Sequence, residues 1–305
     1  MHSLDWNDLR YFLAVCRAGT LAGAARDLRV RHSTVGRRVE ALEQALAVSL
    51  FKRTPDGFVL TDAGAGIRPL AEQAERAAVA IERQVAGGDT RIEGVVRVTA
   101  SEAFSGFLVR RLAVLHERHP ALVVEVLSGN RSFDLTRGEA DLALRMAKTT
   151  QPDLVCKRIG DAGWSVYAAA AYLARRGTPA SLDDLSGHAV IGYDETMAQV
   201  AGALWLDSHA AGAEVVMRGN SIVAVLNATI VGMGIAVLPC FLAGAEPNLR
   251  RLADDLVGSR EIWLVFHPDV AKMARVRTVI DFVTEVIGSE AATLRGDRGS
   301  SASRS

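Results

Sequence analysis

The stretch Thr20-Leu-Ala-Gly-Ala-Ala-Arg-Asp-Leu28-Arg-Val-Arg31-His-Ser-Thr-Val-Gly36-Arg-Arg-Val39-Glu-Ala-Leu42-Glu-Gln-Ala-Leu46 decides how the start of the chain folds. Leu21, Ala24, Ala25 and Leu28 recur at the spacing of one helix face, and the Thr20 hydroxyl suits the helix start as a cap. A short corner, Arg29–Arg31, leads to a second helix predicted over about 32–47, with Val35, Val39, Leu42 and Leu46 as its buried stripe. Thr34, Arg37, Arg38 and Ala41 repeat the same spacing and are expected on the opposite side, with His32 and Ser33 near the helix start. Arginine forks match guanine edges and phosphates, and hydroxyls and imidazole contact either. A solvated helix face is the plain alternative. The order of short Ala-rich helix, tight corner and second helix favours a helix-turn-helix, whose second helix enters the major groove. Gly36 costs about 1 kcal/mol relative to Ala in a helix interior. Close approach to DNA and local strain without purpose are both open accounts of it.

On the N-terminal side, residues 5–18 read as a helix with Leu9, Phe12, Leu13 and Cys16 on one face and Gly19 as its stop. On the C-terminal side, Leu50-Phe-Lys52-Arg53, Thr54-Pro-Asp-Gly57 and Phe58-Val-Leu60 read as a hairpin. Lys52 and Arg53 at its edge suit phosphates beside a groove; an ordinary surface hairpin is the alternative. The charge is distributed accordingly. Residues 1–60 hold nine Arg/Lys against six Asp/Glu, whereas the whole chain holds 35 of each. A basic head on an acidic body suits a nucleic-acid partner for the head alone.

The pieces Trp6–Ala18, Leu21–Leu28, Thr34-Val-Gly-Arg-Arg-Val39, Leu42-Glu43, Leu50-Phe-Lys-Arg-Thr54 and Leu60-Thr-Asp-Ala-Gly64 together resemble the LysR-type transcriptional regulators. The resemblance covers the head almost without a gap, and the remainder has the right length and order. Many members carry Ser-Gln-Pro-Ala-Val-Ser at the start of the reading helix. Here Arg31-His-Ser-Thr-Val-Gly36 stands instead, so base preference does not carry over. The resemblance implies an α/β protein with a winged helix-turn-helix head and a long linker helix. It also implies a two-lobed effector domain similar to type 2 periplasmic binding proteins. Double-stranded DNA, a small-molecule effector and further copies of the chain, as homodimer or homotetramer, are the implied partners, with RNA polymerase as a further one. On this reading Thr20, Arg31, His32, Ser33, Thr34, Arg37, Arg38, Lys52 and Arg53 contact DNA.

Beyond the head, Thr61 can cap a long helix to about residue 85, with Ile67, Leu70, Ala74, Ala77 or Ala78, Ile81 and Val85 in a narrow stripe. The resemblance assigns dimerisation to this helix; lying on its own domain is the alternative. Pro69 is expected to kink or restart it, and Gly87-Gly88 to end it as a hinge. From Arg91 strands and helices alternate: strands at 95–98, 122–127, 141–145, 164–168, 190–193, 214–217, 235–238 and 261–266. Helices are predicted near 105–119, 133–138, up to Arg176, at 221–231 and at 270–287. Alternation of this kind indicates parallel α/β structure. The expected division is head 1–61, linker 62–90 and body 91–294. Within the body, lobe one takes about 91–163 and 267–290 and lobe two about 164–266, ahead of a disordered tail at 295–305.

Ligands of open α/β sheets sit beyond the carboxyl ends of the strands. Ser101 and Glu102, Ser128 and Asn130, and Asn220 and Ser221 stand at such places, and Arg145 ends its strand on the same side. Helix N-termini and an arginine suit an anionic effector such as a small carboxylate, though helix capping by Ser101 and Ser221 is the commoner use of such serines. No cofactor or metal is expected. Three scattered cysteines, Cys16, Cys156 and Cys240, carry no metal or disulfide spacing, so a reducing cytoplasm is the simplest setting. A redox role for one of them stays open. The acids in Met1-His-Ser-Leu-Asp-Trp-Asn-Asp8 argue against an export signal, and no membrane span is expected. Two rivals remain: an enzyme on the two-lobed fold, without HExxH, GxSxG or P-loop pattern, and a solute-binding protein, which leaves the basic head without a use.

Overall fold

A computed structural model describes residues 4–86, 90–129 and 133–297 of the chain. It divides into two compact units, residues 1–85 and 86–305. In the first unit, Asp5 caps α1 (Trp6–Ala18) by accepting the Asn7 N–H, and Gly19, at φ +67°, closes it. Thr20 caps α2 (Leu21–Leu28), its Oγ1 accepting the Gly23 N–H at 3.0 Å. α3 (His32–Leu46) follows the Arg29–Arg31 corner. Phe12, Leu13, Ala24, Val35, Val39, Leu42 and Leu50 form its buried core. Each large apolar side chain so buried contributes roughly 1.5–3 kcal/mol.

β1 (Phe51–Thr54) and β2 (Gly57–Leu60) pair antiparallel as the wing. Gly57 has φ +136°, and a Cβ there would stand 2.3 Å from the Gly19 carbonyl oxygen. Only glycine fits, and the neighbouring Phe58 N–H donates to that same oxygen at 2.8 Å, pinning the wing to the α1–α2 corner. α4 (Asp62–Ala86) runs as one helix with Pro69 inside it and does not restart there. Ala71 of α4 is buried in the head core with Ala63 and Ile67 packed against it, so the expected 61/62 boundary falls within one unit. Leu46 departs from the predicted core stripe: at the last position of α3 it is 38 % exposed. Gly87 and Gly88 lie outside the described residues.

The second unit opens with β3 (Gly94–Ala100), α5 (Glu102–Arg118), β4 (Leu122–Ser128) and β5 (Leu142–Arg145). Then come the long β6 (Val155–Ala169), α6 (Ala170–Arg176), β7 (Ala189–Tyr193), α7 (Ala201–His209), β8 (Glu214–Gly219), α8 (Ile222–Ile230) and β9 (Ala236–Pro239). α9 (Cys240–Ala243), β10 (Leu249–Arg251), β11 (Gly258–Phe266), α10 (Ala274–Ser289) and α11 (Ala291–Arg295) complete it. The main sheet has the order β10-β6-β11-β5-β3-β4, with β9 also on β6.

Parallel pairing holds for β3 with β4 and β5, and for β7 with β8. The expectation of parallel structure fails elsewhere: β6 and β11 are antiparallel to each other, and β5, β9 and β10 pair antiparallel with them. These two long strands are the crossings between lobes. The end of β6 pairs with β9 and β10 in lobe two, while Trp263–Phe266 of β11 pairs with β5 in lobe one. The return therefore begins at the irregularity between Ile262 and Trp263, earlier than the expected residue 267. Four further differences stand out. Residues 133–138 form no helix, with turns at 135–138; α7, α9, α11 and β10 carry no prior expectation; the closing helix starts only after Met273; and residues 295–297 are ordered at the end of α11. Among the described residues, no helix is long and apolar enough to cross a membrane.

Candidate functional site

The outer face of α3 is set by its phase against the core. At 100° per residue, Ser33 and Arg37 stand roughly 160° from Val35. Both are exposed, as are Glu40 and Gln44 on the same side and Arg31 and His32 at the start. Thr34 is half-buried. Arg38 differs from the expected reading face: it lies only about 40–60° from Leu42 and Val35, so it flanks the core stripe. Its Nη1 donates to Asp5 and Asp8 of α1, at 3.1 Å each. The Asp8 bond, with the charges of Asp8 and Asp5 behind it, raises the Arg38 pKa above its ordinary value. Arg38 joins α1 to α3, and the outward cation is Arg37. Gly36 stands beside α2, where a Cβ would make an ordinary 3.5 Å contact with Leu21.

The wing presents Lys52 and Arg53, both exposed, on β1. Thr20 is half-buried with its oxygen committed to the α2 cap.

In the second unit, a cleft of about 730 Å³ opens between the lobes. Lobe one contributes Ser101, Gly129, Arg145, Met146 and Ala147. The facing wall holds Trp164, Thr196, Met197, Gln199, Val200, Ile222 and Arg260. Two of the expected ligand residues, Ser101 and Arg145, line it. Ser101 precedes α5 but makes no capping bond, and its Oγ is buried without a hydrogen-bond partner among the described residues. Arg145, at the end of β5, has one side-chain bond among the described residues, from Nη2 to Thr99 Oγ1 at 3.4 Å. Desolvation by burial lowers its pKa, since no described carboxylate compensates the charge.

The other expected residues are placed otherwise. Glu102 is exposed, and its carboxylate accepts a hydrogen bond from the Ser221 hydroxyl of the other lobe. Ser221 also caps α8, accepting the Ala224 N–H at 3.2 Å. Ser128 and Asn220 are exposed and outside the cleft lining, though Gly129 beside Ser128 belongs to it. Asn130 lies outside the described residues.

Residues 6–65 match the bacterial regulatory helix-turn-helix family of lysR type, and residues 89–288 match the LysR substrate binding domain. The chain belongs to the LysR family of transcriptional regulators. It is a DNA-binding regulator carrying a substrate-binding domain. Among its relatives, the regulator CrgA of Neisseria meningitidis is 28 % identical over 290 residues, covering 92 % of this chain and 97 % of CrgA. The transcriptional activator AmpR of Pseudomonas aeruginosa is 30 % identical over 271 residues, covering 86 % of this chain and 88 % of AmpR. The CrgA structure superimposes with a TM-score of 0.57 at 27 % identity, covering 92 % of this chain and 98 % of CrgA. The full-length fold is shared with the Vibrio cholerae virulence activator AphB, at TM-score 0.62 and 20 % identity, covering 93 % of this chain and 99 % of AphB.

Within this LysR-family frame, sequence reasoning missed Trp164, Arg260 and the segment from Thr196 to Val200. The segment follows the carboxyl end of β7, so the rule that placed Ser101 also pointed to it. Arg260 carried no such signal, because its strand runs the opposite way.

Proposed function

We propose that the body takes up a small anionic molecule in the interlobe cleft, and that its occupancy changes the affinity of the head for promoter DNA. The observation that carries the reading is Arg145: a partly buried, desolvated guanidinium in the cleft with, among the described residues, only the Thr99 hydroxyl as side-chain partner. A charge left so poorly compensated attracts an anion, and Ser101 Oγ, buried and unpaired, offers a donor beside it. DNA is read by Arg31 at the start of α3 and by His32, Ser33, Thr34 and Arg37 on it, with Lys52 and Arg53 on the flanking phosphates. Thr20 and Arg38 are reassigned to holding the head together. Copies associate along α4, where Leu70 and Ile81 are 65 % and 66 % exposed, as homodimer or homotetramer. RNA polymerase contact and a cytoplasmic setting belong to the same reading.

A thermal-shift screen of small carboxylates on the full chain tests it, with a random-duplex selection supplying the DNA site. A stabilising acid should bind the Arg145→Ala variant roughly ten- to hundredfold more weakly, the loss expected for one charge-assisted bond. It should also change affinity for the selected duplex. Stabilisation that survives in the variant contradicts the cleft assignment.

A further inference from the structure

The cleft has two cationic poles, and this sets the class of ligand more narrowly than its sign. Arg145 stands in lobe one beside Ser101 and the N-terminal turn of α5. Arg260 lines the opposite wall, where its Nη2 donates to the Gln199 carbonyl at 2.7 Å. Arg145 pairs with Trp263 across the sheet, and Arg260 lies three residues earlier on β11. The two backbones are thus about 10 Å apart along the strand at ~3.3 Å per residue. No acidic side chain lines the cleft among the described residues, and neither arginine has a described carboxylate partner. Apart from Ser101, Thr196 and Gln199, the uncharged side chains of the lining are apolar, with Met146, Met197, Val200 and Ile222 beside the fully buried Trp164.

Resting on the cleft reading above, we infer that the ligand is an amphipathic dianion: an apolar body, such as an aromatic ring, with an acidic group at each end. One acid sits on Arg145 and Ser101, the other on Arg260, and the body lies against the methionines and aliphatic side chains. A monoanion would leave one guanidinium uncompensated when water is expelled, a cost that grows as the site dries. A short hydrophilic diacid would satisfy both charges but leave the apolar wall uncovered. A cleft of about 730 Å³ is within the usual range for a molecule of this size. Because the poles stand on facing walls, the dianion favours whichever arrangement of the lobes brings both within reach.

The test is calorimetric titration of the full chain with terephthalate, benzoate and succinate. Terephthalate should bind at least tenfold more tightly than either of the others. Arg260→Ala should reduce terephthalate to the affinity of benzoate, while Arg260→Lys, which keeps the charge, should retain part of the difference. The unfolding temperature of the unliganded variants controls for loss of fold. Benzoate or succinate binding as tightly as terephthalate, no binding by any of the three, or a preference unchanged in Arg260→Ala overturns the inference. If benzoate binding is lost in Arg145→Ala while Arg260→Ala changes nothing, the cleft reading stands and the two-pole inference falls. Terephthalate binding indifferent to both arginines brings down both.

Discussion

Glu43, near the end of α3, links that helix to the wing, and its removal should loosen both. Its Oε1 accepts the N–H of Leu50 at 2.6 Å and of Phe51 at 3.2 Å. Leu50 is fully buried and Phe51 is 9 % exposed, so neither amide finds water readily once the carboxylate is gone. Phe51 and Leu60 face each other across the β1–β2 ladder, three residues along from the Thr54–Gly57 turn end, where the Thr54 hydroxyl donates to the Gly57 carbonyl. Glu43→Ala therefore leaves two backbone donors unmet at the point where the chain enters the core. Each such donor costs about 1–3 kcal/mol. Taking the lower half of that range for each donor gives about 2–4 kcal/mol, or roughly 8–32 °C in the unfolding temperature of a unit this small. Glu43→Gln keeps an amide oxygen as acceptor and should lose less than half as much. Differential scanning calorimetry of the full chain reads this, the head transition being the one that duplex DNA moves. A shift below about 2 °C in Glu43→Ala, or equal shifts in the two variants, refutes the reasoning.

Arg38→Ala should lower the head's unfolding temperature, because Asp8, with a side chain only 7 % exposed, loses its counter-ion. The salt slope of DNA binding should stay within about half a unit of wild type, since no phosphate contact is lost. Gly202→Ala should destabilise the body alone by about 1–3 kcal/mol in chemical unfolding. A Cβ at that position would stand 2.8 Å from both Tyr193 and the Val237 carbonyl oxygen. Burial pushes the Cys16 thiol from 9.0 up to about 11, so it should resist iodoacetamide at pH 8. The folded state keeps a proton that the unfolded chain releases first, so this contribution is intact below pH 9 and stability declines as pH rises toward 11.

The head was legible because its signals are local. Thr20 and Gly19 mark helix ends, the Leu21–Leu28 and Val35–Leu42 spacings mark faces, and Pro55-Asp56-Gly57 marks the wing turn. The phase of the exposed face was less legible. Thr34, Arg37, Arg38 and Ala41 share one stripe, but only contact with α1 shows that Arg38 belongs to its core-facing edge. Asp8, an acid buried on α1, gave no sign of itself in the sequence. In the body, Val95–Val98 and Leu122–Leu127 were readable as apolar runs. The first half of β6 was not: Val155-Cys-Lys-Arg-Ile-Gly-Asp161 mixes apolar and charged residues without a period of two, on a half-exposed crossing strand. Ser101 and Arg145 followed from the rule about strand ends, whereas Arg260 reached the same cleft only through the antiparallel return of β11.

The claim on which everything rests is that the outward face of α3, with Arg37 at its centre, reads duplex DNA. Binding of the full chain to its selected duplex and to a scrambled one, across a salt series, tests it with Arg37→Ala. The account predicts a loss of tenfold or more in preference for the selected duplex, as expected for about 1–3 kcal/mol at one arginine–base contact, with the unfolding temperature unchanged. Equal preference in wild type and Arg37→Ala would contradict it.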